Sequence, residues 1–150
     1  MIFIWVYGLV LMGGLAALSY IDIKSFRLPD VLTLPLCVAG LSFAYFYGDM
    51  TSALIGLIMG YLSFLCVELG FKYLRGIDGL GRGDAKLLAA GGAWCGWMAL
   101  PHIVLIASIS AICVVLLWSL KSKTLHRKSA IPFGPFIAIG IGSIWLVQTF

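Results

Sequence analysis

The sequence predicts an all-α membrane protein, a polytopic bundle of about six transmembrane helices with both chain ends on the outer side. Of its 150 residues, 62% are hydrophobic and only 11% are charged, whereas soluble domains carry roughly 25% charged residues. The mean hydropathy is +1.09. Since one crossing needs about 20 apolar residues, the length allows about six crossings. We treat residues 1–150 as a single domain.

The apolar runs between helix breakers predict the individual helices in order, near residues 2–21, 31–47, 52–74, 84–99, 102–120 and 132–149. The first run lacks a basic start and a small-residue cleavage signal, so we interpret it as a retained helix. Two connections are very short, near residues 48–51 and 100–101. Three others are longer and polar, at residues 22–30, 75–83 and 121–131.

The basic residues determine the predicted topology. All ten lie in or beside the three longer connections: Lys24, Arg27, Lys72, Arg75, Arg82, Lys86, Lys121, Lys123, Arg127 and Lys128. Cytoplasmic loops of membrane proteins carry the excess of Lys and Arg. We therefore expect these connections in the cytoplasm, and we do not expect the net charge of +4 to serve nucleic-acid binding.

Small residues predict close helix contacts. Gly56, Gly60 and the Gly91-Gly92 pair lie inside apolar runs, where glycine lets two helix backbones approach each other. The four cysteines are spread singly, at Cys37, Cys66, Cys95 and Cys113. Without a Cys-x-x-Cys pair they predict neither a zinc site nor a disulfide framework, so we expect no metal and no cofactor.

Acidic residues concentrate on the predicted cytoplasmic side, which holds four of the six: Asp22, Asp30, Asp78 and Asp84. Asp49 alone lies on the outer side. Asp30 follows Pro29 just before the second predicted helix, a position typical of an N-cap. Glu68 lies inside the third apolar run, four residues before Lys72. This spacing predicts an ion pair on one helix face, with a functional role for an ionisable residue inside a span as the alternative.

The chemistry that the sequence allows rests on two of these carboxylates. No serine or cysteine lies in a nucleophile motif. Asp22 ends the first predicted helix and Asp84 begins the fourth, so both belong at the same membrane boundary. Two carboxyl groups that share a site hold one proton between them, which lets one act as base and the other as acid. Glycines 79, 81 and 83 before Asp84 allow a substrate backbone to approach closely.

Three sequence blocks carry a family resemblance. The first is Ile21-Asp22-Ile23-Lys24 leading to Leu28-Pro29-Asp30, the second runs from Gly79 to Leu88 and on to Gly92-Ala93-Trp94 and Gly96-Trp97, and the third is Pro132-Phe133-Gly134-Pro135. Together they resemble the type IV prepilin peptidases, membrane aspartyl proteases of the Gly-x-Gly-Asp class. The blocks extend from near one end of the chain to the other.

The resemblance implies that Asp22 and Asp84 are the catalytic aspartates. Gly81, Gly83, Lys86 and Asp30 are further candidates for supporting or substrate-binding residues. The simpler interpretations are a helix cap for Asp30 and basic anchors for Lys86 and Arg82, with a shift of the pKa of the aspartate pair by either basic residue as the alternative. Pro132 to Pro135 is interpreted as a helix start or bend, with a wall of the substrate groove as the alternative. Asp78 is left without a role.

The resemblance also implies a substrate and a location. The substrate is a prepilin-like or pseudopilin protein, cut after a glycine between its short basic leader and its hydrophobic helix, at the cytoplasmic face of a bacterial inner membrane. Many members of the family carry a cysteine-bearing loop before the first aspartate and also N-methylate the product. Only 21 residues precede Asp22, which argues against the methyltransferase activity.

A proton-coupled transporter and a membrane scaffold without catalytic activity are the alternatives to this hypothesis. A proton-coupled transporter would use the same acids as a relay, but it predicts acids near the midplane and repeated halves with broken helices. The sequence contains no such repeat. A membrane scaffold without catalytic activity requires no pair of carboxylates at one boundary. Cleavage of a prepilin-like substrate distinguishes a peptidase from both alternatives.

Overall fold

The computed structural model describes residues 2–26, 28–75, 82–121 and 132–149. All regular structure in these ranges is helical, which confirms the predicted fold class. The α-helices are α1 (Ile2–Ser25), α2 (Asp30–Tyr47), α3 (Met50–Arg75), α4 (Arg82–Cys95), α5 (Leu100–Lys121) and α6 (Gly134–Thr149). Four segments are long and apolar enough to cross a membrane: Ile2–Ser25, Asp30–Tyr47, Met50–Gly70 and Trp97–Trp118. Helix α6 is apolar but shorter.

The structure differs from the prediction at the end of α4 and at the start of α5. The sequence predicted a helix over residues 84–99, but α4 ends at Cys95 and a short 3₁₀ helix follows at Trp97–Ala99. Gly96 between them has φ of +80°, a left-handed conformation that glycine adopts without a steric penalty. The predicted connection at residues 100–101 is wrong as well. These residues form the first turn of α5, where the missing N–H of Pro101 has no helical partner to lose.

Helix α4 lies at the centre of the bundle. It packs against α3 and α2 along much of its length and also contacts α6 and α5. Every residue from Leu87 to Trp94 is buried, and most of them are alanine or glycine. Small side chains let four neighbouring helices approach one short helix, so the sequence of α4 explains its central position.

The closest approach in the bundle joins α3 and α4 at three glycines. A Cβ on Gly92 would collide with the backbone carbonyl of Gly56, and a Cβ on Gly60 would lie 2.7 Å from the carbonyl oxygen of Leu88. Backbone atoms cannot move aside as a flexible side chain can. The prediction that these glycines permit close helix contact is therefore confirmed.

Trp94 joins α4 to α2. Its indole Nε1 donates a hydrogen bond to the carbonyl oxygen of Leu36 at 2.8 Å, and its ring lies against Gly40, where a Cβ would approach within 2.6 Å of the indole. Phe43 stacks on the same ring, with the centroids 5.5 Å apart. The buried indole N–H thus has its partner, which a buried polar group needs.

We expect Gly56→Ala to destabilise the bundle by about 1–3 kcal/mol, because the added methyl group overpacks a contact between two backbones. The measurement is thermal unfolding of the purified protein in detergent, followed by circular dichroism. Gly70 is the matched control on the same helix, since nothing lies within 4 Å of a Cβ there. Equal unfolding temperatures for Gly56→Ala and Gly70→Ala would contradict the tight α3–α4 contact.

Candidate active site

Asp22 lies in the last turn of α1. The helix continues to Ser25, so Asp22 is inside the helix rather than after an end at residue 21. Its carboxyl group is almost completely buried, with the residue only 5% exposed. The helix then ends at Phe26, whose φ of 51° is the left-handed conformation that commonly terminates helices. The amide of Phe26 donates to the carbonyl oxygen of Asp22 at 2.9 Å.

The start of α6 meets the Asp22 carboxylate. The backbone N–H of Gly134, the first residue of α6, donates a buried hydrogen bond to Oδ2 of Asp22 at 3.0 Å. The first N–H groups of a helix have no partner within it, so a carboxylate is a favourable acceptor there. The Pro132 to Pro135 block was predicted to start or bend the last helix. The hydrogen bond from Gly134 to Asp22 was not predicted.

Asp84 lies in the first turn of α4 and is partly buried. Its carboxyl group is near enough to that of Asp22 for their charges to interact. The structure therefore brings together the two aspartates that the sequence placed at one membrane boundary. They come from α1 and α4, and both of these helices pack against α6.

The first and second sequence blocks contact each other around Asp84. Lys86, two residues after Asp84, forms an ion pair with Oδ1 of Asp30. Gly83, immediately before Asp84, lies against Leu28, whose Cβ would be 2.8 Å from a Cβ at position 83. A glycine is thus required here by close packing.

The interpretation of Asp30 as a helix cap is wrong. Pro29 occupies the N-cap position of α2, and no side chain caps that helix end. Asp30 is the first helical residue, and its carboxylate instead contacts Lys86 of α4. Because the lysine partner is distant in sequence, local spacing could not have predicted it. The same contact gives Lys86 an ionic partner in addition to its expected place beside the membrane.

A second ion pair lies on the other side of Asp84. Glu68 of α3 is buried, with the residue 8% exposed, and its Oε1 lies 3.5 Å from Nε of Arg82. Arg82 was not predicted as the partner of Glu68, because the spacing within the helix pointed only to Lys72. Arg82 and Lys86 thus flank Asp84 at two residues on either side, and each pairs with an acid on a different helix.

One predicted site residue and two other acids lie away from this site or outside the described part of the chain. Gly81 and Asp78 fall outside the described residues. Asp49 lies between α2 and α3, at the opposite end of the bundle from Asp84, and accepts hydrogen bonds from the hydroxyl and amide of Thr51. These bonds lower the pKa of the Asp49 carboxyl below its usual value.

Among the described residues, no group of three or more His, Cys, Asp or Glu side chains could hold a metal ion.

Among the cavities in the described part of the bundle, two lie at different distances from Asp84. One, of about 400 Å³, is lined by Phe43, Tyr47, Trp94 and Asp49 among others and lies at the Cys95 end of α4, roughly 16 Å along the helix from Asp84. The other is an apolar groove of about 450 Å³ between α1 and α6. It reaches Ser19, one turn before Asp22, and Pro135 of the third block, so apolar surface extends to the turn that carries Asp22.

Comparison with known proteins identifies relatives. The model of the type IV leader peptidase family matches residues 9–116. The chain is 46% identical over 132 residues to a prepilin leader peptidase/N-methyltransferase of Burkholderia pseudomallei (strain 1026b), covering 87% of this chain and 42% of the relative. It is 42% identical over 152 residues to the protein of that name from Dickeya chrysanthemi, covering 96% and 53%.

A protein of the same name from Escherichia coli (strain K12) is 46% identical over 127 residues, covering 82% of this chain and 55% of the relative. The chain therefore spans about half the length of the curated relatives it matches. No solved structure gives a significant match. Residues 9–116 of the chain, which the family model matches, contain both aspartates and most of the helices described above. The chain belongs to the type IV leader peptidase family.

Proposed function

We propose that this chain is an aspartic endopeptidase of the bacterial inner membrane that removes the basic leader of prepilin-like or pseudopilin substrates. The observation that carries the proposal is that Asp22 is buried against the start of α6, while the segment after Asp22 packs onto the start of α4 beside Asp84, through Leu28 against Gly83 and Asp30 with Lys86. Family membership supports the substrate class. The N-methyltransferase in the relatives' name is said of those proteins, which are about twice as long.

The proposed reaction is direct attack of water on the scissile carbonyl. Two neighbouring carboxyl groups favour a state with one proton between them, so one aspartate takes a proton from the attacking water while the other protonates the substrate. Neither a covalent intermediate nor a metal is required. One aspartate in the last turn of α1 and the other in the first turn of α4 place this chemistry at one end of the bundle.

We infer that this end faces the cytoplasm and that both chain ends face outward. The excess of Lys and Arg in the connections at residues 22–30, 75–83 and 121–131 supports this orientation. A prepilin-like substrate has its basic leader in the cytoplasm and its apolar segment in the bilayer. The groove between α1 and α6 offers apolar surface that reaches Ser19, one turn from Asp22, which suits a substrate cut at the edge of such a segment.

The alternative of a proton-coupled transporter receives less support. It predicts acids near the middle of the membrane, whereas Asp22 and Asp84 both lie within one turn of a helix end. The helix break at Gly96 lies at the other end of α4 from Asp84, so it does not put broken helix beside the acid pair. Proton transfer within the pair is retained in the peptidase proposal, where it serves peptide hydrolysis.

We expect Asp22→Asn and Asp84→Asn each to abolish leader removal, with at least a 1,000-fold loss of rate, because the two carboxyl groups act as a unit. The assay is cleavage of a coexpressed prepilin-like substrate, followed by its gel shift. Asp49→Asn is the matched control at the opposite end of the bundle and should cleave normally. Normal processing by either dyad variant would refute the proposed chemistry.

We further infer that the ion pairs beside Asp84 position it. Lys86→Ala should lower the rate of cleavage about three- to tenfold, because a small displacement of a reacting group is costly. The free energy of unfolding should change by no more than about 1 kcal/mol, since the Lys86 and Asp30 side chains are 33% and 55% exposed and such pairs contribute little to stability.

The charge-reversed double variant Asp30→Lys with Lys86→Asp tests the pair itself. It should recover much of the activity that each single reversal loses, and a double-mutant cycle on cleavage rates measures that coupling. Lys24→Ala is the control, since Lys24 lies over the ring of Tyr20 near the same site. Strictly additive losses for the two reversals would show that the pair does not position Asp84.

A further inference from the structure

The two carboxyl groups of the candidate site differ in their hydrogen bonding. Oδ2 of Asp22 accepts the backbone N–H of Gly134 at 3.0 Å in a buried setting. Among the described residues, no hydrogen bond reaches the carboxyl group of Asp84, which interacts with Asp22 through charge. A backbone N–H can only donate, and such a donor stabilises the ionised form of a carboxyl group. The pair is therefore asymmetric in a way that bears on where its proton resides.

Position 134 requires a glycine because of Asp22. A Cβ there would lie 2.6 Å from Oδ2 of Asp22, 3.0 Å from its Cγ and 3.3 Å from its Cβ. Since three atoms of the aspartate side chain are in contact, a small rotation of the carboxyl group would not relieve the collision. Any side chain at position 134 would push the carboxylate away from the N–H that it accepts.

The other charged groups around Asp22 are engaged elsewhere. Helix α6 carries no ionisable side chain. On α1, Lys24 lies 4.5 Å from the centroid of the Tyr20 ring. On α4, Arg82 pairs with Glu68 of α3 and Lys86 pairs with Asp30 of α2. Within the described part of the chain, the Gly134 N–H and the positive end of α6 are thus what favours a negative charge on Asp22.

We propose that Gly134 is a positioning residue that holds Asp22 as the ionised member of the pair, so that Asp84 carries the shared proton. This inference rests on the proposed function and assigns the roles within it. Asp22 is then the general base for the first step and Asp84 the general acid. Gly134 acts through Asp22 and does not contact the reacting peptide.

The assignment gives a balanced reaction. As the water oxygen bonds to the carbonyl carbon, Asp22 takes a water proton and the Asp84 O–H protonates the carbonyl oxygen, which yields a neutral diol. In the second step Asp22 gives its proton to the amide nitrogen and the C–N bond breaks. Asp84 takes a proton from one diol hydroxyl as the carbonyl re-forms. The products are a carboxylic acid and an amine, and both aspartates regain their starting states.

The kinetic test uses the purified full chain reconstituted in liposomes, with a synthetic prepilin-like peptide that contains a basic leader, a glycine at the cut and an apolar segment. We expect Gly134→Ala to lower kcat about tenfold or more while KM changes less than about twofold, because the lost bond is one to a charged group. The acid limb of the kcat/KM profile should move to higher pH. Gly13→Ala on α1, where nothing lies within 4 Å of a Cβ, should match the wild type.

Gly134→Pro removes the N–H in addition to introducing a Cβ. Proline suits the first position of a helix, but its ring Cδ replaces the amide hydrogen that Oδ2 of Asp22 accepts. The proline variant should therefore show a larger loss of kcat and a larger shift of the acid limb than the alanine variant. Wild-type kcat and pH profiles in both variants would overturn the inference while leaving the proposed function intact, provided that Asp22→Asn is inactive. Absence of cleavage by the wild type would overturn both.

A spectroscopic measurement keeps the assignment testable even if the Gly134 variants fold poorly. At neutral pH, the infrared difference spectrum between the wild type and Asp84→Asn should show loss of a protonated carboxyl band. Loss of an ionised carboxylate band instead would place the negative charge on Asp84 and overturn the assignment. The spectrum does not depend on catalysis, so it separates the location of the proton from the proposed peptidase activity.

Discussion

The backbone contact between α3 and α4 at Gly56 and Gly92 is the constraint on which the rest of the structure depends. Helix α4 buries the large side chains of Leu87, Leu88 and Trp94, but most of its buried residues are alanine or glycine, so its packing depends on close backbone contact as well. Within a membrane, helices associate through van der Waals contact and interhelical hydrogen bonds. The glycines bring two helix backbones together, and this close approach fixes the depth and rotation of α4. Asp84, in the first turn of α4, takes its position from that contact.

Few strong polar interactions position the two carboxyl groups, because the packing of the helices already fixes their backbones. Exposed ion pairs contribute roughly 0–1 kcal/mol to stability, so the Asp30–Lys86 pair is too weak to hold the bundle together. It is well placed, however, to restrict the first turn of α4 relative to α2. The bond from Gly134 to Asp22 is different, because both groups are buried and neither can exchange its partner for water. Packing thus sets the positions of the helices, and the polar contacts refine those of the two carboxyl groups.

The sequence predicted the helical membrane fold, the glycine contacts and the two aspartates at one boundary, since each follows from local composition and periodicity. It did not predict that α4 ends at Cys95, before Gly96. Apolar residues continue through Trp97, and hydropathy carries no information about the positive φ of Gly96. The partners of Asp22, Glu68 and Asp30 were also missed. Gly134, Arg82 and Lys86 lie 112, 14 and 56 residues away from them, respectively, and such pairings arise only from the packing of the helices.

The short length of α4 connects the fold to the chemistry. Its 14 residues extend about 21 Å, less than the roughly 30 Å of a bilayer core. The ends of so short a helix expose unpaired backbone groups that lipid cannot satisfy, which is why α4 requires the protein-lined centre of the bundle. Asp84 lies in the first turn of this short helix and is partly buried, whereas Asp22 lies near the end of α1, which is long enough to cross. In the proposed reaction, a partly buried carboxyl near a buried one favours the neutral form of one partner, and that neutral partner supplies the acid.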